Sequence, residues 1–206
     1  MRSKTTIILA VVAGVVGYFM AQSAIHKSNT PEAQMAQSAH ETIEKITKDG
    51  EENHPDVPKA EAWKRQATSD ASTQLEARSK PEDKRAFAAG TFMGFYLVNV
   101  RARAELCDSF GVSITDFTTK FANAHSAEYA VANTSVIEQG TNIDQLYTSL
   151  KPELMKVVTQ DTLDIGNMIH ADSRGACAFI EEHSDNVVKE MMFSKSQPAL
   201  YKALME

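Results

Sequence analysis

The sequence contains few of the residues that interrupt helices or that cluster in small catalytic motifs. Its 206 residues include nine glycines, six prolines, two cysteines and one tryptophan. Segments in which β-branched and polar residues alternate are rare, whereas Ala, Leu, Met, Glu and Lys are frequent. This composition disfavours β-sheets and favours helices, so the fold is predicted to be all-α.

Motifs of the common catalytic and nucleotide-binding sites are missing. The chain has no G-x-S-x-G or Ser-x-x-Lys sequence, no phosphate-binding loop and no dinucleotide-binding fingerprint. The H-x-x-x-H spacing does not occur, and E-x-x-H does not recur as a pair of metal-binding helices. No catalytic residue, metal ligand or cofactor is therefore predicted, and a non-enzymatic role is favoured.

Basic residues are fewer than acidic ones, 21 against 27, and the chain carries a formal net charge of −6. Without residues 1–25, which contain Arg2 and Lys4 but no acidic residue, this charge becomes −8. An acidic domain is repelled by phosphate backbones and by anionic lipid heads. Nucleic acid is therefore not expected as a partner.

Formal charge is absent from Thr5 to Ile25. As a helix, this stretch would extend about 31 Å, close to the thickness of the bilayer hydrocarbon. Residues 1–25 are therefore predicted to be a signal anchor, with residues 5–25 in the membrane and the basic end in the cytoplasm. The alternative is a signal peptide that is cleaved near Ser23.

The anchor predicts a single-pass protein of the bacterial inner membrane whose C-terminal domain lies in the periplasm. Cleavage would instead give a soluble periplasmic or secreted protein. In either oxidising location, Cys107 and Cys177 are predicted to form a disulfide, and two buried free thiols are the alternative. Closing a loop of about 70 residues would stabilise the fold by roughly 4 kcal/mol.

Residues 26–79 are predicted to be a polar tether with one or two amphipathic helices. The first of these helices is expected to end at Gly50, and the second carries Trp63 near its start. Residues 80–206 are predicted to form a compact bundle of about five to six helices, beginning at Lys80-Pro81 with proline in the first turn.

The centre of the predicted bundle is an uncharged helix, residues 86–100. Gly90 and Gly94 lie one turn apart in it and each costs up to about 1 kcal/mol relative to alanine. They are predicted to allow close packing of a neighbouring helix, and the alternative is that they form the floor of a groove for an apolar ligand.

A helical hairpin is predicted around Gly111, which suits a left-handed helix end. The second helix is expected to begin at a Ser113–Asp116 capping box and to run to Gly140. His125, on its apolar face, is expected to be a hydrogen-bonded core residue.

Two further boundaries are predicted downstream. Thr141 and Asp144 repeat the capping pattern at the start of a short helix, and Pro152 is expected to break or kink it.

Three residues are predicted as possible partner contacts, namely Trp63, Arg101 and Arg103. Trp63 is the sole tryptophan, and the alternative for it is packing on its own domain. The alternative for Arg101 is a surface ion pair with Glu105, four residues later on the same helix face.

These features favour a membrane-anchored periplasmic protein-interaction module with an accessory, chaperone-like or inhibitor (immunity) role. Its partners would be the membrane, through residues 5–25, and another envelope or secreted protein. One alternative is a small periplasmic enzyme acting on cell-wall or lipid material. The other is a carrier of an apolar ligand inside the helical bundle.

Overall fold

The computed structural model describes residues 31–138, 140 and 142–206, and every regular element in them is helical. The ten helices of this part are α1 (Pro31–Asn53), α2 (Lys59–Glu76), α3 (Pro81–Leu97, extended without a break through a π-helical turn, Val98–Ala102, and Arg103–Ser109), α4 (Thr115–Ala124), α5 (Ser126–Glu138), α6 (Ile143–Ile169), α7 (Ser173–Glu182), α8 (Ser184–Glu190), α9 (Phe193–Ser196) and α10 (Pro198–Met205). The all-α prediction is confirmed. The predicted helix number was too low, because helices end at His125 and again at His183, where the backbone leaves α-helical geometry.

Helices α1 and α2 belong to the same hydrophobic core as the rest of the bundle. Their core residues are Ala39, Ile43, Ile46, Ala62, Trp63, Ala67, Ala71 and Leu75. The two helices pack on each other and both pack on α6. A polar tether therefore does not describe residues 39–76. The sequence pattern was misleading because half of these buried residues are alanines, which give a weak apolar signal but allow helices to approach closely.

Gly50 lies within α1 rather than at its end, and it is buried against α2. A Cβ atom at this position would lie 2.9 Å from the carbonyl oxygen of Ala62, which is backbone and cannot move away cheaply. The predicted helix end at Gly50 was wrong, since glycine serves here for a close crossing of two helices.

Helix α3 is the central element of the bundle. It packs against α5 and α10, and its π-helical turn contacts α6 and α4. Gly90 and Gly94 are both buried within it. Their predicted function in close helix packing stays a prediction.

The turn after α3 follows the predicted geometry, whereas the start of α4 does not. Gly111 adopts a left-handed φ of 72°, which confirms the predicted helix end. No side chain caps α4 from its own N-cap residue, and Ser113 instead shares a hydrogen bond with Thr115. The Oε atoms of Glu181 accept from the backbone N–H groups of Asp116 and Phe117, at 2.9 and 3.0 Å.

Helix α6 begins at Ile143, and the side chain of the N-cap residue Asn142 accepts from the N–H groups of Asp144 and Gln145. Thr141, the first residue of the predicted capping pattern, lies outside the described residues. Pro152 lies inside the helix, and the helix continues past it to Ile169, so the predicted break does not occur. Proline is tolerated here on an exposed position of the helix.

The predicted disulfide is confirmed. Cys107, in the last part of α3, is bonded to Cys177 in α7, and both cysteines are fully buried. The bond therefore joins the central helix to a late element across 70 residues of sequence.

The predicted membrane segment, residues 5–25, lies outside the described residues. Within the part of the chain that is described, no helix combines the length and the apolar character needed to cross a bilayer.

Candidate functional site

A groove runs between α1, α2 and α6, and Trp63 lies beneath it. The groove has a volume of about 560 Å³ and is lined by Thr47, Glu51, Lys59, Trp63, Pro152, Met155, Lys156, Thr159 and Gln160. This volume lies within the range of about 300–1,000 Å³ that is usual for ligand pockets. The groove is open to solvent along its length and therefore suits a chain segment better than an enclosed small molecule.

Trp63 is 5% exposed, so little of its surface is available at the groove. Its indole N–H donates to Oε1 of Glu51 at 3.2 Å, which fixes the ring orientation. The sequence alternative, packing on its own domain, describes Trp63 correctly. As a direct partner anchor it therefore offers little contact area.

The two lysines of the groove differ in whether they form an ion pair. The carboxylate of Glu51 is shared by Trp63 and by Lys59, whose Nζ lies 3.2 Å from Oε2. Lys156 makes no ion pair within the described residues and is exposed. The groove therefore holds one carboxylate that is already engaged and one unpaired ammonium group beside the apolar side chain of Met155.

Asp164 holds two walls of the groove in place. Its Oδ2 accepts from the backbone N–H of Ala60, at the start of α2, at 2.8 Å. Its Oδ1 accepts from Nε2 of Gln160 at 2.9 Å. Sequence reasoning missed Glu51, Lys59 and Lys156 because nothing in the local pattern indicates that α2 lies against residues a hundred positions later.

A second groove, of about 710 Å³, is lined by residues with polar or charged side chains. These residues are Asn53, His54, Lys64, Arg65, Gln66, Thr68, Ser69, Ser72 and Ser196. Both of its permanent cations are already held by Glu61, with Nζ of Lys64 at 3.6 Å and Nε of Arg65 at 2.9 Å. This groove therefore offers less unpaired charge than the one beside Trp63.

Arg101 lies in the π-helical turn and is about one-third exposed. It donates to Oδ1 of Asp144 at 2.7 Å, and its guanidinium lies 5.4 Å from the centre of the Tyr147 ring. Glu105 is paired instead with Lys151 and accepts from the Tyr147 hydroxyl at 2.7 Å. The expected Arg101–Glu105 pair is therefore replaced by pairs between α3 and α6. Lys151 lowers the pKa of Glu105, and burial raises the pKa of Tyr147.

Arg103 is fully buried, which excludes it as a partner contact of the folded protein. Its Nη2 donates to Oδ2 of Asp161 at 2.6 Å and its Nε to Oδ1 of Asn99 at 3.3 Å. Arg101 and Arg103 both reach α6, at Asp144 and Asp161 respectively, but only Arg101 remains accessible to solvent. Arg103 ties α3 to α6 inside the core.

One hydroxyl–ammonium pair has a spacing that occurs in catalytic sites. Nζ of Lys120 donates to Oγ of Ser184 at 3.0 Å, and Ser184 Oγ donates to Oδ2 of Asp116 at 2.7 Å. Asp116 and Asp185 raise the pKa of Lys120, which keeps it protonated and unable to accept a proton. Ser184 is also buried. The group therefore serves to join α4 to α8.

His40 has carboxylates at both ring nitrogens. Nδ1 lies 2.8 Å from Glu153 and Nε2 lies 3.3 Å from Glu44, and Glu153 raises the pKa of His40. Because the two nitrogens lie on different edges of the ring, these groups do not converge on one metal ion. Within the described residues, no group of three or more metal-binding side chains is present.

No family model matches this chain, and the comparisons with curated proteins and with solved structures return no match either. Function must therefore be inferred from the residues themselves.

Proposed function

We propose that this chain is a membrane-anchored helical protein-interaction module of the bacterial periplasm, which binds another envelope or secreted protein through the groove between α1, α2 and α6. The observation that carries the proposal is the unpaired Lys156 ammonium beside apolar groups in an open groove. An accessory, chaperone-like or inhibitor role is compatible with such a site.

The location is supported by two features of the chain. The uncharged residues 5–25 have the length of a membrane-spanning helix. The Cys107–Cys177 disulfide suits an oxidising compartment, because disulfides seldom persist in a reducing cytoplasm. Intact-mass measurement tests the anchor, which predicts that residues 1–25 are retained. A mature chain that begins at Ala24 would contradict it.

The partner chemistry follows from the walls of the groove. Lys156 can bind a carboxylate, while Met155 and the small exposed part of Trp63 can bind an apolar side chain. A segment that presents an acidic residue next to an apolar one matches both. Since the three helices that form the groove are packed in the core, binding would need little rearrangement.

Site-specific photocrosslinking in intact membranes tests the groove. A photoreactive residue at Thr159, which is exposed in the groove, is expected to give one discrete adduct. Lys156→Glu is expected to abolish that adduct without changing the amount of folded protein. The matched control is the same photoreactive residue at Asn186, exposed on α8. Equal adducts from both positions, or an adduct that is indifferent to Lys156→Glu, would refute the groove as the binding site.

Neither alternative from the sequence gains a specific observation. The interior beside α3 is filled by ring contacts, with Phe95 lying 5.2 Å from Phe121 and 5.4 Å from Phe193 between centroids. This packing does not favour an apolar ligand there. An enzyme acting on cell-wall or lipid material stays an untested alternative.

A further inference from the structure

The same short sequence occurs at two helix junctions. The His125 junction, residues 121–126, and the His183 junction, residues 179–184, both read F-x-x-x-H-S. In each, a ten-residue helix ends before the histidine, and the next helix begins at the serine after it. The backbone angles of the two histidines are nearly equal, with φ and ψ of −112° and 19° against −106° and 20°.

The two imidazoles also make the same local contacts. Nδ1 of His125 donates to the carbonyl oxygen of Phe121 at 2.9 Å, and Nδ1 of His183 donates to that of Phe179 at 3.1 Å. Each ring lies against the phenylalanine four residues earlier, with centroid distances of 4.2 and 4.3 Å. This repeated unit was not recognised in the sequence.

The junctions differ in burial and in the second ring nitrogen. His125 is fully buried, and its Nε2 accepts from the backbone N–H of Phe193 at 3.2 Å. His183 is only partly buried, and its Nε2 has no hydrogen bond within the described residues. Of the two junction histidines, His125 alone uses both ring nitrogens within the described residues, with the proton on Nδ1 and a lone pair on Nε2.

The surroundings of His125 are almost entirely apolar. Phe92 and Phe95 of α3 face it, together with Phe121 of α4 and Phe193 of α9. Two nearby groups would stabilise the protonated ring, namely the carboxylate of Glu128 in α5 and the backbone carbonyl of Met191. Burial outweighs them and lowers the pKa of His125.

We propose that His125 is an acid-sensitive switch that holds the C-terminal helices α9 and α10 on the bundle. Phe193 is the first residue of α9, and α10 packs on α3 and α5. When the imidazole takes up a proton from solvent, Nε2 becomes an N–H donor that faces another N–H donor. The hydrogen bond to Phe193 is then lost, and a charge is left among phenylalanine rings, so that residues 193–205 are released.

The direction of the pH effect follows from the lowered pKa of native His125. The unfolded chain begins to bind this proton near pH 6.5, whereas the native protein does not. The stability that His125 contributes is therefore present in full above about pH 6.5 and is lost as the pH falls toward its native pKa. One proton taken up on unfolding changes the unfolding equilibrium constant by up to about tenfold per pH unit.

The test compares three full-length proteins in detergent, namely wild type, His125→Gln and His183→Gln. Gln offers an amide in place of the imidazole and does not titrate in this range. Between pH 7.5 and 5, the unfolding constant of the wild type is expected to rise relative to that of His125→Gln by up to about tenfold per pH unit. The His183→Gln variant, which is matched in its local sequence, is expected to keep the wild-type pH dependence.

Hydrogen exchange, corrected for the intrinsic pH effect, tests the release of α9 and α10. In the wild type, residues 193–205 are expected to lose protection at pH 5 before the rest of the bundle does. In His125→Gln they should not. Loss of the pH effect in His183→Gln rather than His125→Gln would overturn the proposal. So would acid-induced exchange that begins elsewhere or that persists in His125→Gln.

If His125→Gln fails to fold, the wild-type exchange pattern and the NMR titration of His125 decide. A measured His125 pKa at or above 6.5 would overturn the switch.

Discussion

The His125 and His183 junctions show how burial changes what one local sequence does. Both histidines end a helix, donate through Nδ1 to a phenylalanine carbonyl and allow a new helix to start one residue later. At His183 the imidazole remains partly exposed and acts locally. At His125 the surrounding rings exclude water, and Nε2 must accept from the distant Phe193. The motif sets the backbone geometry, and the tertiary packing decides whether the ring couples remote parts of the chain.

Reduction of the disulfide should affect the two junctions unequally. Cys177 lies in α7, directly before the His183 junction, whereas α4 and α5 contain no cysteine. Loss of a cross-link across 70 residues is expected to lower the free energy of unfolding by about 4 kcal/mol. Urea unfolding with and without reductant measures this loss, and hydrogen exchange should rise more in α7 than in α4. An equal rise in both helices would contradict the comparison.

Truncation to alanine is expected to lower the free energy of unfolding more at the His125 junction than at the His183 junction. His125→Ala leaves a cavity among the rings and an unsatisfied Phe193 N–H, so we expect a loss of about 3 kcal/mol. His183→Ala removes a partly exposed ring and one hydrogen bond, and we expect about 1 kcal/mol. Urea unfolding at pH 7.5 compares the two variants. Equal losses would mean that burial does not distinguish these sites.

A smaller loss of stability is expected when the carboxylate of Glu181, which connects α7 to the start of α4, is removed. Glu181, in α7, accepts from two N–H groups at the start of α4. Glu181→Gln removes the negative charge and one acceptor from that helix end, so we expect a loss of about 1 kcal/mol. Glu182→Gln, the exposed neighbour, is the control and should be neutral. If both substitutions are neutral, Glu181 does not stabilise the α4 terminus.

Features fixed by neighbouring residues could be predicted from the sequence. Local patterns predicted the all-α fold class, the left-handed backbone of Gly111 and the buried position of His125. The disulfide followed from the number of cysteines and the expected compartment.

Features fixed by tertiary packing could not be predicted in this way. Glu181 caps a helix 65 residues earlier, and Asp164 binds the start of α2 across 104 residues. The groove beside Trp63 depends on the second of these contacts, so its lysines had no local signature. The alanine-rich face of α2 looked too weakly apolar for a core helix, although it is fully buried against α1 and α6.

The tautomer of His125 is the most direct test of how burial distinguishes the two junctions. Long-range nitrogen–proton NMR spectra of the full-length protein, with imidazole nitrogens labelled, identify which ring nitrogen carries the proton. We expect neutral His125 at pH 7.5 with the proton on Nδ1 and an unprotonated Nε2 that accepts from Phe193. A proton on Nε2, or a doubly protonated ring at this pH, would contradict the account.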